Sequence, residues 1–352
     1  MGVRAVGIDI ASTAVRVADV ELGNAKQGAL ADATLHGFGE AAVPPGAVLG
    51  GDVVDVRSVS IAMKQAMSAA GAATKAVRLG VSSESVIVRE IEVPAMPMAQ
   101  LRKALPFQVQ EMLPMAASDV ILDFFPTAEV NRDGASLLRG VLVAAPKGVV
   151  LSIVAAAESA GLKPQSIDLD GFALYRAEYP REAIARHVAL VDIGARMTTI
   201  VITQDGRPRL ARTVAGGGQS ITDAIASAVR IGVPEAEDVK RRVGLTPPAS
   251  PEYQLVHEAI TQATANLVDA IRKTLVYFAS SNPGEGAEHI VLSGGGSQMI
   301  GFGQFIASTT RLPVTMGSAA TRVSPHRKLK GDPEAWAARG TMATGLALRE
   351  DS

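Results

Sequence analysis

Apolar and polar positions alternate imperfectly along residues 3 to 20, a run rich in Val, Ile and Ala, and Ala11-Ser12-Thr13-Ala14 interrupts it as a tight turn would. The pattern predicts a β-hairpin. After a loop bearing Pro and Gly the period lengthens. Ile61, Ala62, Gln65, Ala66 and Ala69 fall at helical spacing over 58 to 70 and Gly71 closes the run, predicting a helix, with a strand after it at 76 to 82. Residues 85 to 165 read as a module of their own, in the order strand, helix, strand, strand, helix. The module lies between the first half and the segment starting at Ser166, so it is an insertion within a domain.

The hairpin pattern then returns at 187 to 206. Ile221, Ala224, Ile225, Ala228 and Val229 predict an amphipathic helix over 220 to 231. A stripe from Leu255 and Val256 through Ile260, Leu267 and Ile271 to Phe278 predicts a long helix over 252 to 281. A strand at 289 to 293 runs straight into Gly294-Gly295-Gly296, and a short helix is expected over 338 to 350. The intervening segment 321 to 334, basic and carrying Pro, reads as an exposed loop. Its basic residues Arg322, His326, Arg327, Lys328 and Lys330 suit contact with anionic lipid once a partner brings the protein to a membrane, but such a run is more often a solvated loop.

Length and composition narrow the function classes. At 352 residues two domains are expected, and a formal net charge of -1 gives no reason to expect nucleic acid or direct membrane insertion. The absence of cysteine removes disulfides, thiolate metal sites and thiol nucleophiles. The five histidines, at 36, 187, 257, 289 and 326, have no metal-ligand spacing. No run is long and apolar enough to span a bilayer.

The chemistry lies in the repeated hairpin. Ile8-Asp9-Ile10-Ala11-Ser12-Thr13 aligns with Val191-Asp192-Ile193-Gly194-Ala195-Arg196: an apolar strand ending in Asp, an apolar residue, a small residue, and a turn into a second strand. A carboxylate there can hold a hydrated magnesium ion while the donors of the turn receive phosphate oxygens. Two such turns facing each other would clamp one triphosphate. The glycine run after a buried-looking strand suits close backbone approach to a ligand better than a linker. "AAPKGVV" lacks the spacing of a Walker-type loop.

These two Asp-bearing hairpins, the connecting "SIDLDGFALYRAE" and the late "LSGGGS" resemble the actin, sugar kinase and heat-shock ATPase superfamily. Within it, "VIVREIEVPAMP", "GLKPQSIDLDGFAL" and "GGGQSITDAIA" resemble the PilM family of actin-like type IV pilus assembly proteins. The resemblance implies an α/β fold of two duplicated, ribonuclease H-like domains with a nucleotide cleft between them. It implies a first domain at 1–84 plus 166–187 with a helix over 335–350 packing back on it, an inserted partner-binding α+β subdomain at 85–165, and a second domain at 188–334 carrying a helical subdomain at about 219–285.

By the same resemblance Asp9, Ser12, Thr13 and Arg16 form the first phosphate hairpin, and Asp192, Gly194 and Thr198 the second. Asp9 and Asp192 hold magnesium through water, and Asp170 is the candidate for orienting water near the terminal phosphate. Gly217, Gly218, Thr222, Glu237 and Lys240 border the ribose and adenine, and Gly294, Gly295, Gly296 and Ser297 close the nucleoside side. From the residues alone, Glu237 and Lys240 read equally well as a surface pair on a helix. Ala11 stands where the superfamily usually has glycine and Arg16 where it often has lysine, so the methyl at 11 is expected to crowd the phosphate or demand an altered turn.

The family implies an ATP-binding adapter with slow or negligible hydrolysis. It would be cytoplasmic and recruited to the membrane by the cytoplasmic amino-terminal peptide of a PilN-like single-pass protein. Other pilus platform proteins are implied as further partners, and self-association is left open. A small-molecule kinase or active ATPase of the same superfamily is the enzyme alternative, but 85 to 165 is dominated by Val, Ile, Leu and Phe and offers few candidate groups for a substrate. An FtsA-like cell-division protein would carry a terminal amphipathic helix, which the pattern here lacks.

Overall fold

The computed structural model describes residues 3–23, 33–180, 185–247 and 250–349; Glu350, the last residue of the expected terminal helix, lies outside them. The first hairpin is β1 (Val3–Ile10) and β2 (Ala14–Leu22), followed by β3 (Ala33–Ala42), a small flap of β4 (Val48–Leu49) and β5 (Asp52–Val53), α1 (Val56–Ala70) and β6 (Ala76–Val81). Next come β7 (Ile87–Pro94), α2 (Met98–Val109), β8 (Val120–Arg132), β9 (Ala135–Pro146), α3 (Lys147–Ser159), β10 (Lys163–Leu169) and α4 (Asp170–Glu178). The second hairpin is β11 (His187–Ile193) and β12 (Met197–Gln204), continued by β13 (Arg207–Ala215), α5 (Gly218–Val229), α6 (Val233–Val243) and α7 (Gln254–Ser281). The chain closes with β14 (His289–Ser293), α8 (Phe302–Thr310), β15 (Val314–Met316), β16 (Val323–Lys330), α9 (Pro333–Arg339) and α10 (Thr341–Ala347).

The sequence repeat is a repeat of whole sheets. One sheet has the order β10-β6-β1-β2-β3-β16 and the other β13-β12-β11-β14-β15. In each, an antiparallel three-stranded meander carries two parallel strands beside its first strand. The hairpin strands are buried on both faces, with Ile8 and Val17 on one face and Ala5, Ala18 and Val20 on the other in the first sheet, and Val191 and Ile200 on one face and Leu190 and Val201 on the other in the second. That burial explains why their alternation was imperfect. Helix α4 packs on β11, β12 and β13, whereas α10 packs on β1, β2 and β6, and the two helices meet between the sheets.

Helix α1 begins at Asp55, whose carboxylate accepts from Ser58 N at 3.0 Å, and ends at Gly71 in the left-handed region. Its buried face is Val59, Ala62, Met63, Ala66 and Ala70, while Ile61, expected inward, is 48% exposed. The small residues let the helix lie close on β3, where a branched side chain would hold it off. On α7 the buried stripe starts at Val256 and leaves Leu255 outside.

The inserted sheet has the order β7-β9-β8, and α2 covers one face by packing Leu101, Leu105 and Val109 on Ile91, Val93, Phe124 and Leu142. Two boundaries differ from expectation. Helix α3, read as part of the insertion, packs on α1 and buries Val149, Ile153, Ala156 and Ala157 in the first core. Strand β16, read as a loop of the second domain, pairs in parallel with β3 at the edge of the first sheet, a place that tolerates Pro325 and the exposed basic side chains. The module also reaches the second sheet: buried Arg209 of β13 pairs with Glu90 of β7 and Glu285, and Arg207 donates to the Thr127 carbonyl of β8.

Candidate functional site

Between the two sheets lies a cleft of about 650 Å³, lined from one side by the β1–β2 turn and from the other by the β11–β12 turn. Asp9 and Asp192 are the next-to-last residues of equivalent strands, so the duplication brings them to the same cleft. Ser12, Thr13, Arg16, Gly194, Gly218, Glu237, Lys240, Gly294, Gly295, Gly296 and Asp170 line it with them. Of the two outcomes expected for the Ala11 methyl, an altered turn is not seen: Ala11 N–H donates to Ala14 O at 3.0 Å, as Gly194 N–H donates to Met197 O at 2.9 Å, and its φ is not positive.

Three carboxylates converge here. Asp170, the first residue of α4, is held well above the ordinary range by burial first and then by the charges of Asp9, Asp168 and Asp192, and its Oδ1 has no donor. Burial pushes Asp192 up to about 6 against the donation from Ser293 Oγ, 3.1 Å from its Oδ2. Asp9 is raised by burial and partly relieved by Arg16, whose Nη1 lies 3.3 Å from Asp9 Oδ2. Such a set gains from a cation. Among the described residues no three acidic or histidine groups are placed to hold a metal ion between them.

The opposite wall is built around a buried lysine. Lys240 Nζ donates to Gly218 O at 3.0 Å, Thr222 Oγ1 at 2.9 Å and Glu237 Oε2 at 2.6 Å. The surface-pair reading of Glu237 and Lys240 is therefore wrong, because Lys240 is only 8% exposed and ties α6 to the start of α5. Burial alone would raise Glu237, yet the donors Lys240, Thr222 and Arg241 outweigh it and hold the carboxyl below its usual value. Four expected residues stand behind the wall. Thr198 donates to Gly216 O, Thr222 donates to Glu237, Ser297 donates to Gly294 O, and Gly217 precedes α5. Of the glycine run, a Cβ at Gly294 would lie 2.5 Å from Ile193 O and one at Gly296 2.6 Å from Ile193 Cγ2. Those two glycines pack closely against β11 while lining the cleft together with Gly295.

Sequence reasoning missed Glu40, Arg339 and Thr341, which also line the cleft, and Glu178 beside it. Glu178, the last residue of α4, is pushed up to about 7 by burial and by the charge of Asp192, while Thr341 Oγ1 donates to its Oε1 at 2.8 Å. The Ser293 hydroxyl sits near both acids and has one proton to give; donated to Asp192, it leaves Glu178 Oε2 without a donor. Glu40 had one available signal, its place on a strand that could align with Arg16. Nothing local marked the others.

A family profile described as type IV pilus assembly protein PilM matches residues 7–351. A solved PilM–PilN type IV pilus biogenesis complex contains a chain 26% identical to this one, with a TM-score of 0.83 over 99% of both chains. Cell division protein FtsA of Bacillus subtilis (strain 168) is 25% identical over 241 residues, which are 62% of this chain and 54% of FtsA, so the chain spans about half the length of that relative. MreB5 of Spiroplasma citri bound to ADP superposes with a TM-score of 0.52 at 13% identity, covering 90% of this chain and 92% of that one; the likeness is one of fold.

Proposed function

The chain belongs to the PilM family of type IV pilus assembly proteins, and on that premise we propose that it is an actin-like adapter that holds ATP in its cleft. We propose further that it binds the cytoplasmic amino-terminal segment of a PilN-like membrane protein. The whole-chain likeness to the PilM–PilN complex is the observation that carries this reading. Among the described residues no helix is long and apolar enough to cross a membrane, which suits recruitment by a partner that has such a helix.

In the cleft, the turn residues Ser12 and Thr13 on one side and Gly194 on the other would receive the phosphates, and Lys240 with Glu237 would border the ribose and adenine. Asp9 and Asp192 would hold magnesium through its water, and the ion would supply positive charge against the phosphate oxygens. Asp170, its carboxyl held well above the ordinary range by burial and by the charges of Asp9, Asp168 and Asp192, would orient water near the terminal phosphate, with slow or negligible hydrolysis.

The docking face we assign to the inserted module lies on its open side. Phe125 of β8, 44% exposed, stands on the face away from α2 and packs on Phe172 of α4 with ring centroids 5.4 Å apart. An extended peptide laid along the free edge of β8 would gain main-chain hydrogen bonds and fill apolar pockets at this junction. The test is fluorescence anisotropy with a labelled amino-terminal peptide of the PilN-like protein. Binding to the intact protein with loss in Phe125→Glu is expected. Unchanged affinity in the variant would put docking elsewhere, and no binding to the intact protein would remove the adapter reading.

A further inference from the structure

Asp9, Arg16, Glu40 and Arg339 form a row of alternating charge along the cleft wall. Asp9 and Arg16 are register partners on β1 and β2, and Arg16 and Glu40 on β2 and β3, so the three side chains stand abreast on one face of the sheet. Arg16 Nη1 lies 3.3 Å from Asp9 Oδ2, Arg16 Nε 3.5 Å from Glu40 Oε2, and Arg339 Nε 3.0 Å from the same Glu40 oxygen. Side-chain exposure rises along the row, from 7% at Asp9 through 14% and 30% to 40% at Arg339. The inner end is fixed and the outer end faces the mouth.

Two features single out Arg339. Its Cγ and Cδ lie 3.8 Å from where a side chain on Gly295 would begin, so a residue from the end of α9 rests against the glycine loop of the opposite wall. Among the described residues its hydrogen bonding runs through Nε alone, which leaves both Nη groups of a five-donor fork to face a ligand. Glu40, meanwhile, divides one oxygen between two guanidiniums. A half-exposed pair of this kind is weak, and a phosphate oxygen offers a guanidinium a stronger, charge-assisted partner.

We propose that Arg339 is a phosphate-binding residue that Glu40 parks at the cleft mouth and releases when a phosphate chain enters. The inference rests on the reading of the cleft as a nucleotide site. It makes Arg339 a ligand contact carried by the first half of the molecule and resting against the second, so that the bound polyphosphate is gripped from the mouth as well as from the two turns. Glu40 is then a positioning residue that competes with the ligand, and removing its charge acts in the opposite direction from removing Arg339.

The experiment is isothermal titration of magnesium ATP into the wild-type protein, Arg339→Gln, Arg339→Lys, Glu40→Gln and Asp192→Ala, with thermal melting of each. Arg339→Gln weakens binding about tenfold, the scale of one hydrogen bond to a charged group, and Arg339→Lys restores part of it. Glu40→Gln tightens binding about threefold, the scale of one exposed ion pair. If the pair only staples α9 to β3, both variants lower the melting temperature and move affinity in the same direction or not at all, and the proposal is overturned. If wild type binds, Asp192→Ala does not, and Arg339→Gln equals wild type, the nucleotide reading stands and this inference alone falls. No binding to wild type removes both.

Discussion

Asp9 and Asp192 occupy the same place in two copies of one hairpin, yet their surroundings differ in kind. The residue across the strand from Asp9 is Arg16; across from Asp192 it is Thr199. On its other side Asp192 has the Ser293 hydroxyl at 3.1 Å, a neutral donor. Duplication kept the carboxylate and the turn but not the cation. The first hairpin therefore pairs its carboxylate with a cation directly, whereas the second holds a buried carboxylate whose nearest donor is neutral and which gains more from an incoming positive charge. The two turns are unequal halves of the clamp, and the second depends more on the metal.

That inequality predicts the largest effect. Asp192→Ala weakens magnesium ATP binding about 100-fold, ~3 kcal/mol, as expected for losing one member of a close charged contact. Asp9→Ala costs about tenfold, because the same substitution frees Arg16 for the phosphates. Titration calorimetry of both variants checks the ranking, and equal losses would mean that Arg16 does not reach the ligand.

The same asymmetry sets a pH dependence. Asp192 and Glu178 keep their protons up to about 6 and about 7, from ordinary values of 3.8 and 4.5. Because both are raised, the unfolded chain loses these protons first as pH rises, and fold stability declines between about pH 4 and 7, by on the order of 3 kcal/mol per group. Magnesium ATP, which favours the ionised form of Asp192, binds more tightly across that window. Melting at pH 5 and pH 8 should show the free protein less stable at the higher pH, and Asp192→Asn should flatten the part of the slope below pH 6. A slope unchanged in the variant would assign the effect elsewhere.

Smaller effects come from the turns. A Cβ at Gly194 would lie 2.8 Å from Met197 O, so Gly194→Ala must shift the turn at a cost of ~1–2 kcal/mol. Ala11→Gly relieves no such contact and loosens only the unfolded chain, changing stability by less than ~1 kcal/mol. Thermal melting of the pair separates a turn that requires glycine from one that does not.

How much of this was legible follows from how local each feature is. The hairpins and their carboxylates were readable because strand, Asp, small residue and turn lie within a few positions. Lys240 was marked by the family resemblance and not by its own pattern, since its spacing from Glu237 is that of any surface pair on a helix and its burial depends on Gly218 of another helix. Glu40 and Arg339 are 299 positions apart and meet only through the packing of α9 beside β3. Strand β16 was hidden by Pro325 and its charged neighbours, which are penalised in a central strand but suited to an edge. Helix α3 follows the module in sequence but the first core in space, and apolar periodicity does not say which partner a helix will cover.

The claim that both turns grip one ligand is tested most directly by amide hydrogen exchange with and without magnesium ATP, read at residues 10–13 and 194–198 of the wild-type protein. The account predicts that saturating ligand slows exchange at both turns together, with the same concentration dependence at each. Protection at one turn only, or at neither while the ligand is bound elsewhere, would contradict it.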